Sequence, residues 1–243
     1  MKLAGDIRAA FRIGLASARA NLVPMVVLWM MALVLAVAYY RVPGAAKMLC
    51  PVRDLMAQYG WGAAFLSMVF YCGALPGLFF LFVRGIRPPR PWMTCALQGF
   101  WGGVMGSICN AFFAMQDVLF GAGADVQTLF TKMAVDQFVW TVLFVSPATA
   151  AYFFWVGRDC SWRRTRHEWP RRFYRQLVLP NLLPNWCVAI PVNLVIYAFP
   201  LSLRIHILGL TSAFWMLMCL QIGTRTGVSG SFSTPASSSR SSS

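Results

Sequence analysis

Lys132, Asp136 and Gln137 are the residues of this chain whose types and spacing could do chemistry. An amine one helical turn before a carboxylate, with an amide beside it, can pair across or along helices, or can favour a cation and respond to its ionisation. The three stand at the head of a charge-free apolar run, Phe138 to Gly157. A carboxylate at the edge of a membrane span is expensive, so a partner or a task is expected for it. Other polar side chains stand in or beside further apolar runs: Asn110, Gln116 and Asp117 in one, Asn185 and Asn193 in another. Together they would line a polar pathway or bond helices to one another. Lys132 and Asp136 could equally form a lock between helices. Arg204, at the outer end of an apolar run, reads as an interfacial arginine whose stem snorkels.

The elements that must carry these residues are membrane helices. The chain is 58% hydrophobic and 12% charged, about half the charge of an ordinary soluble domain. Asn21–Tyr40, Gly62–Val83, Pro91–Gln116, Gln137–Gly157, Gln176–Leu203 and Ile205–Thr224 contain no Asp, Glu, Lys or Arg. Each approaches or exceeds the ~20 residues a helix needs to cross ~30 Å of hydrocarbon. None alternates with the two-residue period of a barrel strand. The expected fold is all-α, a polytopic helical membrane protein with about six spans. The net charge of +14 does not mark a nucleic-acid binder, because sixteen of the 21 Lys and Arg fall in the N-terminal stretch, the even-numbered loops and the tail. That is the positive-inside pattern of a chain with both ends on the cytoplasmic-type side. The basic loops are expected to touch anionic lipid.

Other chemistries find no foothold. The seven cysteines are scattered and never in C-x-x-C spacing, so they read as small packing residues. His167 and His206 are far apart. No zinc signature, phosphate loop, nucleophile elbow or dinucleotide fingerprint is present. No enzyme activity, cofactor or metal is expected, and nucleic acid is not an expected partner.

Residues 1–20 form an amphipathic basic segment, with Leu3, Ile7, Phe11, Leu15 and Ala18 on one face, suited to lie on a membrane surface or to set topology. Residues 21–97 hold two N-terminal spans. The first is aliphatic enough to face lipid, and the stretch 41–61 reads as an extramembrane loop. Gly73, Pro76 and Gly77 predict a kink in the second span. Arg84 to Pro91 reads as a rigid basic turn. Gly99, Gly102, Gly103 and Gly106 make two overlapping G-x-x-x-G pairs, which let helix backbones approach. The basic loop 158–175 carries Trp162, Trp169, Phe173 and Tyr174, suited to the headgroup layer. Pro180, Pro184, Pro191 and Pro200 interrupt the fifth run, and such a break is tolerated only against protein or a watery cavity. The Ser-rich residues 225–243 read as a disordered tail.

From residue 98 to about 222 the chain resembles the Mpv-17/22-kDa peroxisomal membrane protein family, which includes Sym-1-like proteins. The family's Gly-Pro-x-x-His-x-Trp-Tyr-x-x-Leu-Asp meets Gly106-Ser107-Ile108-Cys109-Asn110-Ala111-Phe112-Phe113-Ala114-Met115-Gln116-Asp117. Glycine, the aromatic pair and the aspartate are kept, while Ser107, Asn110 and Gln116 replace proline, histidine and leucine. Lys-x-x-x-Asp-Gln is met by Lys132, Asp136 and Gln137. The closing Pro-x-x-x-Arg with a later tryptophan is met by Pro200, Arg204 and Trp215; the family's Asn-Phe before that proline is missing, with Asn193 or Tyr197 as stand-ins at a register shift of a residue or two. The family usually has four spans, and its first motif is absent here. The resemblance implies a multi-pass membrane protein, channel-like or permeable to small solutes. Its alternative is a non-transporting scaffold held by its intramembrane polar residues. A bacterial inner membrane is the favoured location, with the mitochondrial inner and peroxisomal membranes as alternatives. The partners implied are the lipid bilayer, small solutes if a pathway exists, and a second copy of the chain if it forms a homo-oligomer.

Overall fold

The computed structural model describes residues 22–42, 44–82 and 90–226. The amphipathic segment 1–20, most of the Arg84–Pro91 turn and the Ser-rich stretch from 227 lie outside the described residues, as does the Trp215 side chain. The described residues are built from helices. They are α1 (Leu22–Arg41), the short α2 (Ala45–Met48), α3 (Cys50–Val69, continued through Leu75–Phe82), α4 (Pro91–Phe120), α5 (Val126–Ala134, continued through Ser146–Val156), the short α6 (Trp162–His167), α7 (Tyr174–Val178 and Leu179–Ala198) and α8 (Leu201–Thr226). Among the described residues three stretches, Cys50–Phe79, Pro91–Phe120 and Val126–Val156, are long and apolar enough to cross a membrane. Shorter apolar stretches occupy Trp29–Arg41, Asn185–Ala198 and Leu201–Ala213.

Three helices widen into π turns: Phe70–Ala74 in α3, Val135–Val145 in α5 and Tyr174–Val178 in α7. Each ends two residues before a proline, Pro76, Pro147 and Pro180. A proline has no amide hydrogen and its ring collides with the carbonyl four residues back. Opening the preceding turn to the i→i+5 register moves that carbonyl away and keeps the helix continuous. The kink expected at Gly73–Gly77 is therefore a π turn. The proline-rich fifth run is likewise a continuous helix as far as Ala198, not an interrupted one.

The glycines of α4 meet α3 at close range. A Cβ on Gly99 would lie 3.1 Å from Gly73 Cα and one on Gly103 2.8 Å from Phe65 and Val69. One on Gly102 would lie 2.7 Å from Cys72 Cβ. The overlapping small-residue pairs thus form one face that seats α3. On α1, Val23, Val26, Met30, Leu33, Val34 and Val37 are exposed, which leaves one aliphatic side of the helix uncovered among the described residues. Its opposite side packs on α7 and α8.

Two boundaries differ from those read in the sequence. The stretch 41–61 is not a loop: α2 and the first ten residues of α3 fill most of it, and Gly60 (φ 46°, ψ −112°) is where α3 bends. A polar composition disguised this helix, since only Met56 of its first turns is buried. The helix of the fourth apolar run begins at Val126, well before Asp136. Its start is fixed by Asp125, whose side chain accepts from Thr128 N at 2.9 Å, an N-cap. That amide holds the Asp125 carboxyl below the usual carboxylate range. The capping contribution is present above the unfolded-state pKa and is lost as pH falls through the lower folded-state value. Asp125→Ala is expected to speed amide exchange across 126–131, and Asp125→Asn, which keeps the acceptor, to leave it near wild type.

Candidate functional site: a buried charge seam

The sequence-predicted residues Asp117, Lys132, Asp136, Gln137 and Arg204 converge on one end of the bundle, where α4 and α7 finish and α5 and α8 begin. Asp117 lies in the last turn of α4, Lys132 in the second turn of α5 and Arg204 in the first turn of α8. The opposite end carries the basic loop: Arg90 at the start of α4 lies 3.9 Å from Asp159 beyond the end of α5. Tyr152 Oη also donates to Leu97 O at 2.7 Å. Helices α4 and α5 are therefore antiparallel, with charge pairs at both ends.

The outer layer of the seam is a carboxylate shared by two cations. Asp117 Oδ1 accepts from Lys132 Nζ and, at 2.8 Å, from Arg204 Nη1. Lys132 is 0% and Arg204 2% exposed. Arg204 does more than neutralise. Its Nε donates to Phe199 O at 3.0 Å and its Nη2 reaches Tyr197 O at 3.5 Å. Tyr40 Oη on α1 donates to Ala198 O. A helix leaves its last carbonyls unpaired, and Pro200, the residue after Phe199, has no amide to give one of them. A cation is the favourable partner at that end of the helix dipole. The snorkelling arginine expected at 204 is thus a buried side-chain cap, held inward because the carbonyls it serves are themselves buried.

The inner layer is centred on Asp136, 6% exposed. Its Oδ2 accepts from Tyr197 Oη at 2.7 Å, and its Oδ1 from Thr141 Oγ1 and Gln137 Nε2 at 3.2 Å each. The Arg204 guanidinium lies 5.4 Å from the Tyr197 ring centre, which joins the two layers. Trp186 Nε1 on α7 donates to Gln137 O at 3.0 Å. Formal charges cancel across the seam: Asp117 and Asp136 against Lys132 and Arg204. The Lys132–Asp136 pairing expected from their spacing gives way to Lys132–Asp117 and Asp136–Tyr197. The π register is the physical reason Thr141 can serve. In an α-helix residues five apart diverge by about 140° around the axis, whereas a π turn brings i and i+5 together.

The remaining expected residues stay apart. Asn185 is exposed, Asn110 half-buried and Asn193 buried, and among the described residues none of them hydrogen-bonds to the seam. Thr141 was not anticipated, and Tyr197 only as a stand-in for a family position. The signal for Thr141 was Pro147: a proline downstream shifts the useful spacing from four residues to five. Gln116, 0% exposed, has no hydrogen-bond partner for either end of its amide among the described residues, and Gln137 Oε1 has none either. Aromatic pairs wall the seam, Phe113 against Tyr197 and Phe112 stacked on Trp140.

No model of a known protein family matches the chain, and no curated protein or solved structure is significantly similar to it. The seam itself has the makings of a clamp. It is an acceptor-rich, donor-matched contact among four helices, with its cations engaged by one carboxylate and one helix terminus. Among the described residues no three His, Cys, Asp or Glu gather as metal ligands.

Proposed function

We propose that this chain is a multi-pass integral membrane protein of Mpv-17/22-kDa peroxisomal membrane protein type, in which the charge seam clamps α4, α5, α7 and α8 into a scaffold. The observation that carries this reading is the engagement of both buried cations, Lys132 and Arg204, by Asp117 and by the end of α7. Cations so occupied hold helices rather than wait for a solute. Among the described residues, three helices long and apolar enough to cross a membrane, three shorter apolar helices and the antiparallel course of α4 and α5 support a reading of six crossings with both ends on the basic side. The family resemblance gains support from the convergence of its motif residues. Asp117, Lys132, Asp136, Gln137 and Arg204 come from three separate stretches and meet in one place. A bacterial inner membrane remains the favoured host.

The unpartnered amide of Gln116 and the free Oε1 of Gln137 favour a second reading, a small-solute pathway that the seam closes. Buried polar atoms without protein partners are what a water-bearing path needs. Size-graded solute release from vesicles of the purified protein separates the two, wild type beside Asp136→Asn. The scaffold reading expects tight vesicles for both. Release by folded wild-type protein that changes with Asp136→Asn overturns it in favour of the pathway.

A further inference from the structure

The end of the molecule opposite the charge seam carries a second built feature, the loop that joins α5 to α7. Its turn is held by Asp159 and Cys160 at φ 54° and 57°, left-handed values uncommon for residues other than glycine. Ser161 then caps α6, its hydroxyl accepting from Arg164 N at 3.4 Å, and Thr165 Oγ1 donates back to Ser161 O at 2.9 Å. Arg158 is committed to this frame, donating to Glu168 at 3.0 Å with its guanidinium 3.6 Å above the Phe154 ring centre. Arg164 is committed to Asp159 at 3.1 Å. Trp169 stacks on Phe173 at 4.7 Å.

Arg163 and Arg166 have no such commitment. Both are exposed, and among the described residues neither forms an ion pair or hydrogen bond. At helical spacing they share a face with Trp162 and His167, and these four residues line an open groove of about 730 Å³. Trp162 is 73% exposed. An unshielded indole beside free guanidinium groups, in the loop that follows the apolar helix α5, has the composition of a headgroup-level contact. Guanidinium forks match the oxygens of a phosphate in pairs.

We infer that the groove formed by Trp162, Arg163, Arg166 and His167 binds the phosphate headgroup of an anionic phospholipid. The two arginines take the phosphate oxygens, and Trp162 enters the interfacial layer beside the glycerol. The inference stands apart from the charge seam, which lies at the other end of the helices.

Native mass spectrometry of the full chain in detergent tests it, with phosphatidic acid and phosphatidylcholine offered in equal amounts. Wild type is expected to retain phosphatidic acid selectively. Arg163→Gln with Arg166→Gln is expected to lower that retention about thirtyfold, the share two arginines supply at an anionic surface. Should that variant not fold, Arg163→Lys with Arg166→Lys decides instead. It keeps the charge but loses the paired geometry, and a severalfold loss is expected. Retention unchanged in the folded variants overturns the inference. So does stripping of the lipid by an equal concentration of inorganic phosphate, which would make the groove a site for the free ion.

Discussion

Asp117→Asn is expected to destabilise the folded protein by about 3–5 kcal/mol, the loss that follows when a buried charge is left without its partner. Two cations depend on this one carboxylate, Lys132 at 0% and Arg204 at 2% exposure. An asparagine of the same shape can accept a hydrogen bond but cannot neutralise either. Neither cation can retreat to water, because Lys132 is wedged between α5 and α4 and Arg204 is tied to the α7 terminus. Thermal unfolding in detergent micelles, read by circular dichroism, measures the loss. Lys132→Met added to Asp117→Asn is expected to recover part of it by removing one orphaned charge. Arg204→Met added in its place is expected to recover less, since it also uncaps Phe199 O and Tyr197 O.

Gly73→Val is expected to separate α3 from α4. A Cβ at Gly73 would lie 2.8 Å from Cys95 O and 2.9 Å from Gly99 Cα, both backbone atoms that no side-chain rotation can clear. Overpacking of this kind costs about 1–3 kcal/mol and more where backbone must move. The same contact then loses its dispersion along the whole glycine face, from Gly99 to Gly106. A cysteine pair that cross-links α3 to α4 efficiently in wild type should lose that efficiency in the variant, with a lower melting temperature. Gly77→Ala is the control. Its Cβ would meet nothing closer than 3.5 Å, at Cys95 Sγ, and no change is expected.

Much of this was legible in the sequence because it follows from composition and period. The helical class, the glycine face of α4, the exposed aliphatic side of α1 and the singling out of Asp117, Lys132, Asp136, Gln137 and Arg204 all rest on charge-free runs or on rare polar residues in or beside them. What could not be read was pairing across helices. Local spacing offers Lys132 to Asp136 as the near partner, but tertiary approach brings Asp117 from α4, and Tyr197 arrives from α7. The prolines were read as breaks. Their effect is instead absorbed one turn earlier by π geometry, which also delivers Thr141 to Asp136. Arg204 was assigned to the interface because of its position at the end of a run. The proline at 200 held the opposite clue, since a helix end followed by a residue with no amide needs another donor for its carbonyls.

A double-mutant cycle between Asp117 and Lys132, using Asp117→Asn, Lys132→Met and the pair, tests the clamp most directly. Unfolding free energies in micelles of fixed composition give the coupling. A clamp predicts single losses that are large and strongly non-additive, with a coupling of at least ~1 kcal/mol between helices α4 and α5. Additive losses, or singles that leave stability unchanged, would contradict a structural role for the seam.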